Sequence, residues 1–260
     1  MVLACLLVIS LASGCTSVVA GAALPAAGLA PQLVTGEAIK DVLLDSAALA
    51  KILGQDFTAK SELPPRFGGP ERLQEAFGRV SRVDCLGITT MLAKSAYQSA
   101  RRSGSVENVA RETWWNSAGP AKVISVAEGV VALSGPDEAA ELFESFTQQW
   151  DSCDGAMVTI DSGKVAFADK ITDVRITNSV LAATVSIGTR ISGSQLKAAR
   201  PEARAIGLRG NCLVEVEIAF FSVRGPADKG SADINTSAIE IAHAMMEIAH
   251  AMMERVSNMS

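Results

Sequence analysis

The sequence predicts an α+β fold, and three observations carry that prediction. Helical and strand-like segments mix without the regular strand–helix–strand alternation of a doubly wound sheet. Several strands are joined by short turns, among them Asp161-Ser162-Gly163 and Thr177-Asn178-Ser179, which are hairpin connections. The longest strand, Asn211 to Val223, alternates, with Cys212, Val214, Val216, Ile218 and Phe220 on one face and Leu213, Glu215, Glu217, Ala219 and Phe221 on the other. Two of the five residues on the second face are charged, which assigns the strand to an antiparallel sheet with one wetter side.

In chain order, residues 1–14 read as an export signal. Val2 to Ala12 is apolar apart from Ser10, too short for the roughly 20 residues that span a bilayer and the right size for a signal-peptide core. It ends in Leu11-Ala12-Ser13-Gly14-Cys15. Small residues before a cysteine are what a lipoprotein signal peptidase needs, so Cys15 is the expected lipidation site. Two features depart from that pattern. Ala12 stands where Leu is usual, and no Lys or Arg precedes the apolar run, so the true start codon is expected upstream. Two or three acyl chains on Cys15 would meet the requirement that stable anchoring takes more than one chain. Residues 15–36 are rich in Ala and Gly with Pro25 and Pro31, and read as a tether. The folded domain is expected over 37–257.

Within it, Asp41 to Leu53 has helical apolar spacing and Gly54 as a stop. A Pro/Gly loop over 63–70 leads to a short helix at Glu71 to Phe77, and Thr90 to Ala100 reads as helical. Ala121 to Leu133 is a Val/Ile-rich strand bent at Gly129. Ser134-Gly135-Pro136-Asp137-Glu138 opens a helix, with Pro in the first turn and two acids at the positive end of the dipole. Its apolar face is Ala139, Leu142, Phe143, Phe146 and Trp150. Ala156–Ile160, Lys164–Phe167 and Val180–Ile187 are strands, and a helix from Asp233 to Arg255 closes the domain.

Composition narrows the function classes. The 260 residues are 48% hydrophobic and 20% charged, with net charge −5. That is enough apolar content for one sizeable core, and it lacks the basic stripe of a nucleic-acid binder. There is no Gly-x-Ser-x-Gly, Walker or Gly-x-Gly-x-x-Gly run, and both histidines lie in the closing helix, so a Ser-His-Asp site would have to use His243 or His250. No catalytic residue and no cofactor is expected.

That helix carries a tandem heptad, Ile241 to Glu247 and Ile248 to Glu254. Seven residues keep the apolar stripe nearly in register, with Ile241, Met245, Ile248 and Met252 facing the core. The repeat also spaces His243, Glu247, His250 and Glu254 at one-turn intervals, a pattern that can share a divalent ion. A duplicated heptad generates it automatically, and no metal is assigned. Trp114-Trp115 is an adjacent aromatic pair. Adjacent aromatics can line a cleft, and one of two neighbouring strand residues is ordinarily core.

Several short elements together carry a family resemblance. They are Asp41-Val42-Leu43-Leu44-Asp45-Ser46-Ala47, Asp84-Cys85-Leu86-Gly87, Tyr97, Gln149-Trp150-Asp151-Ser152-Cys153-Asp154-Gly155, Met157-Val158-Thr159-Ile160 and Asn211-Cys212. The pattern resembles the extracellular sensor domain of the mycobacterial serine/threonine kinase PknH, and free-standing lipoproteins of the LppH type, over roughly Ile39 to Val256. The resemblance implies a twisted antiparallel sheet with flanking helices, a large cleft for an unknown ligand, and disulfides, commonly two. No kinase segment accompanies the domain, so relay of a signal by this chain itself is not expected.

Three cysteines follow Cys15, one fewer than two bridges need. Cys85–Cys153 is the expected bridge. Cys212 would then be a buried thiol, with a bridge to Cys153 or a reactive thiol as alternatives. The expected function is a membrane-anchored extracytoplasmic lipoprotein that binds a small-molecule or envelope ligand in a cleft, with Trp114 and Trp115 as cleft candidates. The alternative is an envelope lipoprotein with a protein partner or structural role.

Overall fold

A computed structural model describes residues 33–117, 121–191, 199–221 and 230–257, with side chains to residue 250. Ten strands form one antiparallel sheet: β1 (Phe57–Ala59), β2 (Arg66–Gly68), β3 (Arg79–Val80), β4 (Val106–Asn116), β5 (Val123–Leu133), β6 (Met157–Asp161), β7 (Val165–Ile176), β8 (Val180–Ile191), β9 (Arg200–Arg209) and β10 (Cys212–Phe220). Their order is β1-β4-β5-β10-β9-β8-β7-β6-β3, with β2 also on β4, and the sheet does not close into a barrel. β1 lies against Trp114 to Asn116 and β2 against Val109 to Arg111. The two short strands thus share one edge of β4, and the chain between them arches out at mid-strand. No helix of the described residues is long and apolar enough to cross a membrane.

Five helices, α1 (Ser46–Leu53), α2 (Leu86–Thr89), α3 (Gln98–Ser103), α4 (Pro136–Ser152) and α5 (Ser237–Ser257), cover the sheet from both sides. On the first face α1, α5 and the 3₁₀ turn at Gly36–Val42 pack on Val214, Val216, Ile218, Val126 and Val130. On the second, α2, α3 and α4 pack on Leu213, Val131, Leu181 and Ile206. Alternation along each strand therefore serves two cores.

Asp45 splits the expected helix over 41–53, because its carboxylate accepts from the Ala48 N–H at 2.8 Å and so caps a helix that begins at Ser46. Gly54 ends it in the left-handed region at φ 65°. α4 follows its predicted span, with Pro136, Asp137 and Glu138 in the first turn and Ala139, Leu142, Phe143, Phe146 and Trp150 buried. Of the helix expected at 71–77 only a 3₁₀ turn at Pro70–Arg72 forms. The stretch expected to be helical over 90–100 is irregular up to α3, with Leu92 at φ 55°.

Beyond Trp114-Trp115, read as strand residues, neither β4 nor β9 is anticipated, since neither Val106–Asn116 nor Arg200–Arg209 reads as a clean alternation of apolar and polar residues. β5 runs unbroken through Gly129, and the glycine has a different reason from a bend. A Cβ there would stand about 3.0 Å from the Leu92 side chain, which fills the space. Gly207 in β9 plays the same part on the first face, where the Met246 side chain of α5 occupies the place of its Cβ.

The domain takes in residues before 37. Val34 is buried, its N–H donates to Asn211 Oδ1 at 3.0 Å, and Gly36 donates to Asn108 Oδ1 at 2.6 Å. Asn211 also donates from Nδ2 to the carbonyls of Val34 and Leu133. The first heptad of α5 places Ile241, Met245 and Met246 in the core and leaves His243 and Glu247 exposed. The side chains of Met252 and Glu254 lie outside the described residues.

Candidate functional site

The expectation of a wetter side is corrected in an instructive way. The polar face of β10 is itself covered, and Glu215 is buried to 1% exposure. Arg204 of β9 donates from Nη2 to Glu215 Oε2 at 2.9 Å, from Nε to the Ile88 carbonyl at 2.9 Å, from Nη1 to the Val216 carbonyl at 3.1 Å and from Nη2 to the Gly87 carbonyl at 3.3 Å. Tyr97 donates its hydroxyl to Glu215 Oε1 at 2.6 Å, and the Leu92 N–H donates to Oε2 at 3.1 Å. A buried ion pair is tolerated when its remaining hydrogen-bonding capacity is satisfied. Here that capacity is spent on binding α2 and the loop after it to the sheet.

Three cross-sheet rungs on this face show where the helical layer stops. The first runs Arg111–Gly129–Glu215–Ile206 across β4, β5, β10 and β9, and Leu92 sits on its glycine. The second runs Thr113–Ala127–Glu217–Arg204, and the third Trp115–Ser125–Ala219–Glu202. Ala127, Ser125 and Ala219 are too small to fill the space above them. A cleft of about 270 Å³ lies there, walled by the arch between β1 and β2 (Leu63, Pro64), by Trp115 and by charged side chains.

Those charged groups are largely unspent. The Arg111 guanidinium is mostly buried, burial pulls its pKa down, and among the described residues its Nε has no hydrogen-bond partner. Glu202 is buried to 4% exposure with Oε1 unpartnered. Its carboxyl is pushed well above the ordinary range, first by burial and then by Glu217, against the opposing pull of Arg204 and Arg200. Asp169 on β7 is pushed up to about 7 by burial and Glu217. Glu217 itself lies 3.8 Å from Arg204 Nη1.

The two tryptophans part company. Trp115 lines the cleft, with the Lys60 ammonium 3.9 Å over its ring, whereas Trp114 packs against the core of the opposite face. Cys85 and Cys153 are joined, with Cα atoms 5.7 Å apart, tying the end of α4 to the start of α2. Cys212 is a free buried thiol whose pKa burial pushes up to about 12, an environment that suppresses the reactive thiolate. Cys15 lies outside the described residues. Arg111, Glu202 and Arg204 escaped the sequence reading. The signal that could have found them is the pair of polar i, i+2 steps, Glu202/Arg204 and Glu215/Glu217, on two strands joined by Gly210-Asn211.

An open antiparallel sheet with helices on both faces, and a polar cleft where one helical layer ends, defines the class: an α+β cleft domain. The chain belongs to the PknH-like extracellular domain family, whose profile matches residues 34–247. It is similar in fold to the extracellular domain of PknH from Mycobacterium tuberculosis, at 16% identity over 85% of this chain and 100% of that one, with a TM-score of 0.66. A more distant likeness is an uncharacterised protein of Mycobacterium smegmatis, an Rv0999 ortholog, at 11% identity over 81% of this chain and 96% of that one, with a TM-score of 0.41. No curated protein matches the chain.

Proposed function

We infer that this chain is a lipid-anchored extracytoplasmic domain that binds a small ligand in the cleft beside Trp115. The observation that carries the reading is the cleft itself. Small residues leave a concave space on the sheet, and several buried polar atoms around it, Arg111 Nε and Glu202 Oε1 among them, lack a partner within the described residues. Native interiors rarely leave such groups unsatisfied, and a ligand is one of the few things that answers them.

Recognition without catalysis is the better-supported reading. The cleft hydroxyls, Thr113 and Ser125, have no histidine beside them, because both histidines belong to α5 on the other side of the sheet. Anchoring rests on Leu11 to Cys15, and the family's extracellular character supports export.

The anchoring is tested by intact-mass analysis and fractionation of the full chain and its Cys15→Ala variant in a host that processes lipoproteins. The expected result is an N-terminal acylated Cys15 in the membrane fraction and release of the variant. An unprocessed chain still carrying Met1, without lipid, would contradict it.

A further inference from the structure

Arg66 and Arg111 are direct cross-strand partners on β2 and β4, and both line the cleft. Like charges placed opposite one another across a strand pair destabilise a sheet. Burial pulls the Arg111 pKa down and Arg66 acts in the same sense, while Glu217 opposes them. Neither guanidinium has a hydrogen bond or an ion pair among the described residues, and neither does Arg200 on the far wall.

Among the described residues no carboxylate around the cleft forms an ion pair with these cations, although Glu217 and Glu215 favour the charged form of Arg111 from further away. Glu217 is turned to Arg204, which is already bound to Glu215. Glu202 is almost fully buried between Glu217, Arg204, Arg200 and Asp169, and burial pushes its carboxyl well above the ordinary range. Glu112 also touches the lining, but its cross-strand partner is Glu128 on the opposite face. Among the described residues the three guanidiniums without a hydrogen bond or ion pair, Arg66, Arg111 and Arg200, all border the cleft. Lys60, held over Trp115, adds a further positive charge at the rim.

We propose that the cleft recognises a small oxyanion, a carboxylate or a phosphate monoester carried on a compact planar body. Arg111 and Arg66 grip the anion and Trp115 flanks the body. A guanidinium fork matches the oxygen pair of either anion bidentately. Placing negative charge between Arg66 and Arg111 removes their repulsion, and so turns an unfavourable pair into a binding element. The space of about 270 Å³ suits a single ring with one anionic substituent. This inference rests on the reading of the cleft as the ligand site.

The test is isothermal titration calorimetry of the purified full chain at pH 7 and low ionic strength, with four probes: phenyl phosphate, benzoate, benzyl alcohol and benzamidine. Phenyl phosphate or benzoate is expected to bind, and whichever is tighter identifies the anion as ester or carboxylate. Benzyl alcohol and benzamidine are expected to bind at least about tenfold more weakly, the worth of a hydrogen bond to a charged group. Arg111→Gln should weaken the anion by about tenfold or more. Arg200→Gln, on an exposed side chain whose loss does not threaten folding, should weaken it in the same direction, and added salt should do so for both anions.

Benzamidine or benzyl alcohol binding as tightly as the anions, with loss on Trp115→Ala, would overturn the anion class while leaving the cleft as the site. Anion binding unchanged in both arginine variants would overturn the inference, because the anion would then sit elsewhere. Binding by none of the four also overturns it, and the cleft reading is then decided separately by whether the membrane-extracted chain retains a ligand.

Discussion

Arg204 and Glu215 meet over 2.9 Å with essentially no solvent exposure on either side chain. One lies on β9 and the other on β10, and the first also holds the carbonyls of Gly87 and Ile88 while the second takes the Tyr97 hydroxyl and the Leu92 N–H. The pair is thus the polar rivet between the sheet and the α2–α3 layer, and it fixes the edge at which the cleft begins.

Removing one partner leaves the other charge buried and alone. Glu215→Gln or Arg204→Met should each cost about 3–5 kcal/mol in urea unfolding. The double variant Arg204→Met/Glu215→Met should cost clearly less than the two single losses added together, since the groups are directly coupled. Additive losses would mean that the two side chains act independently. Tyr97→Phe should cost less, about 1–3 kcal/mol, for a lost hydrogen bond to a charged group.

The Cys85–Cys153 bridge closes a separation of 68 residues. Reducing it, or replacing both cysteines by serine, should lower stability by about 4 kcal/mol in the chain-entropy account. The check is the urea midpoint with and without reductant. Cys212 should stay unmodified by a thiol reagent until the domain unfolds, because it is wholly buried.

Gly129→Ala should destabilise by about 1–3 kcal/mol, because the new methyl meets Leu92 in a packed core. Combining it with Leu92→Ala should recover part of the overpacking loss, which a thermal melt of the single and double variants would reveal. A neutral Gly129→Ala would mean that Leu92 does not sit on the glycine.

Stability should fall as pH rises from about 5 to 8. Burial pushes the Glu128 carboxyl from 4.5 up to about 8, and Glu202 and Asp169 shift in the same direction. A folded-state pKa above the unfolded one means that the native protein keeps a proton the unfolded chain has released. The stability is therefore complete below about 4.5 and is lost as pH climbs through the folded value, by at most about 1.4 kcal/mol per pH unit for each such group. Glu128→Gln keeps an acceptor for the Leu44 N–H and removes one titrating group. Urea unfolding at pH 5 and pH 8 should show a shallower pH slope for the variant, and an unchanged slope would contradict the assignment.

Much of the fold was legible where local chemistry decides structure. The Pro136-Asp137-Glu138 start and the 3–4 spacing from Ala139 to Trp150 specify α4 by themselves, and β10 shows its period of two. β4 and β9 were not legible, because their second-face residues, such as Arg111, Thr113, Glu202 and Arg204, look like solvent-facing positions until the helical layer and the cleft are placed above them. The same cause explains Glu215: alternation marks a polar face, but only the partner that arrives from another strand says whether that face is wet. Of the cleft, Trp115 was legible as an aromatic pair member. Which tryptophan faces the cleft depends on the register of β4, which the sequence does not display.

Native mass spectrometry of the full chain, extracted gently from membranes, tests the cleft reading most directly. The wild-type protein should carry a small bound mass that collisional activation releases, and Trp115→Ala and Arg111→Gln, folded by circular dichroism, should lose it. A bare wild-type chain, or a bound mass retained equally by both variants, would contradict the assignment of this cleft as the ligand site.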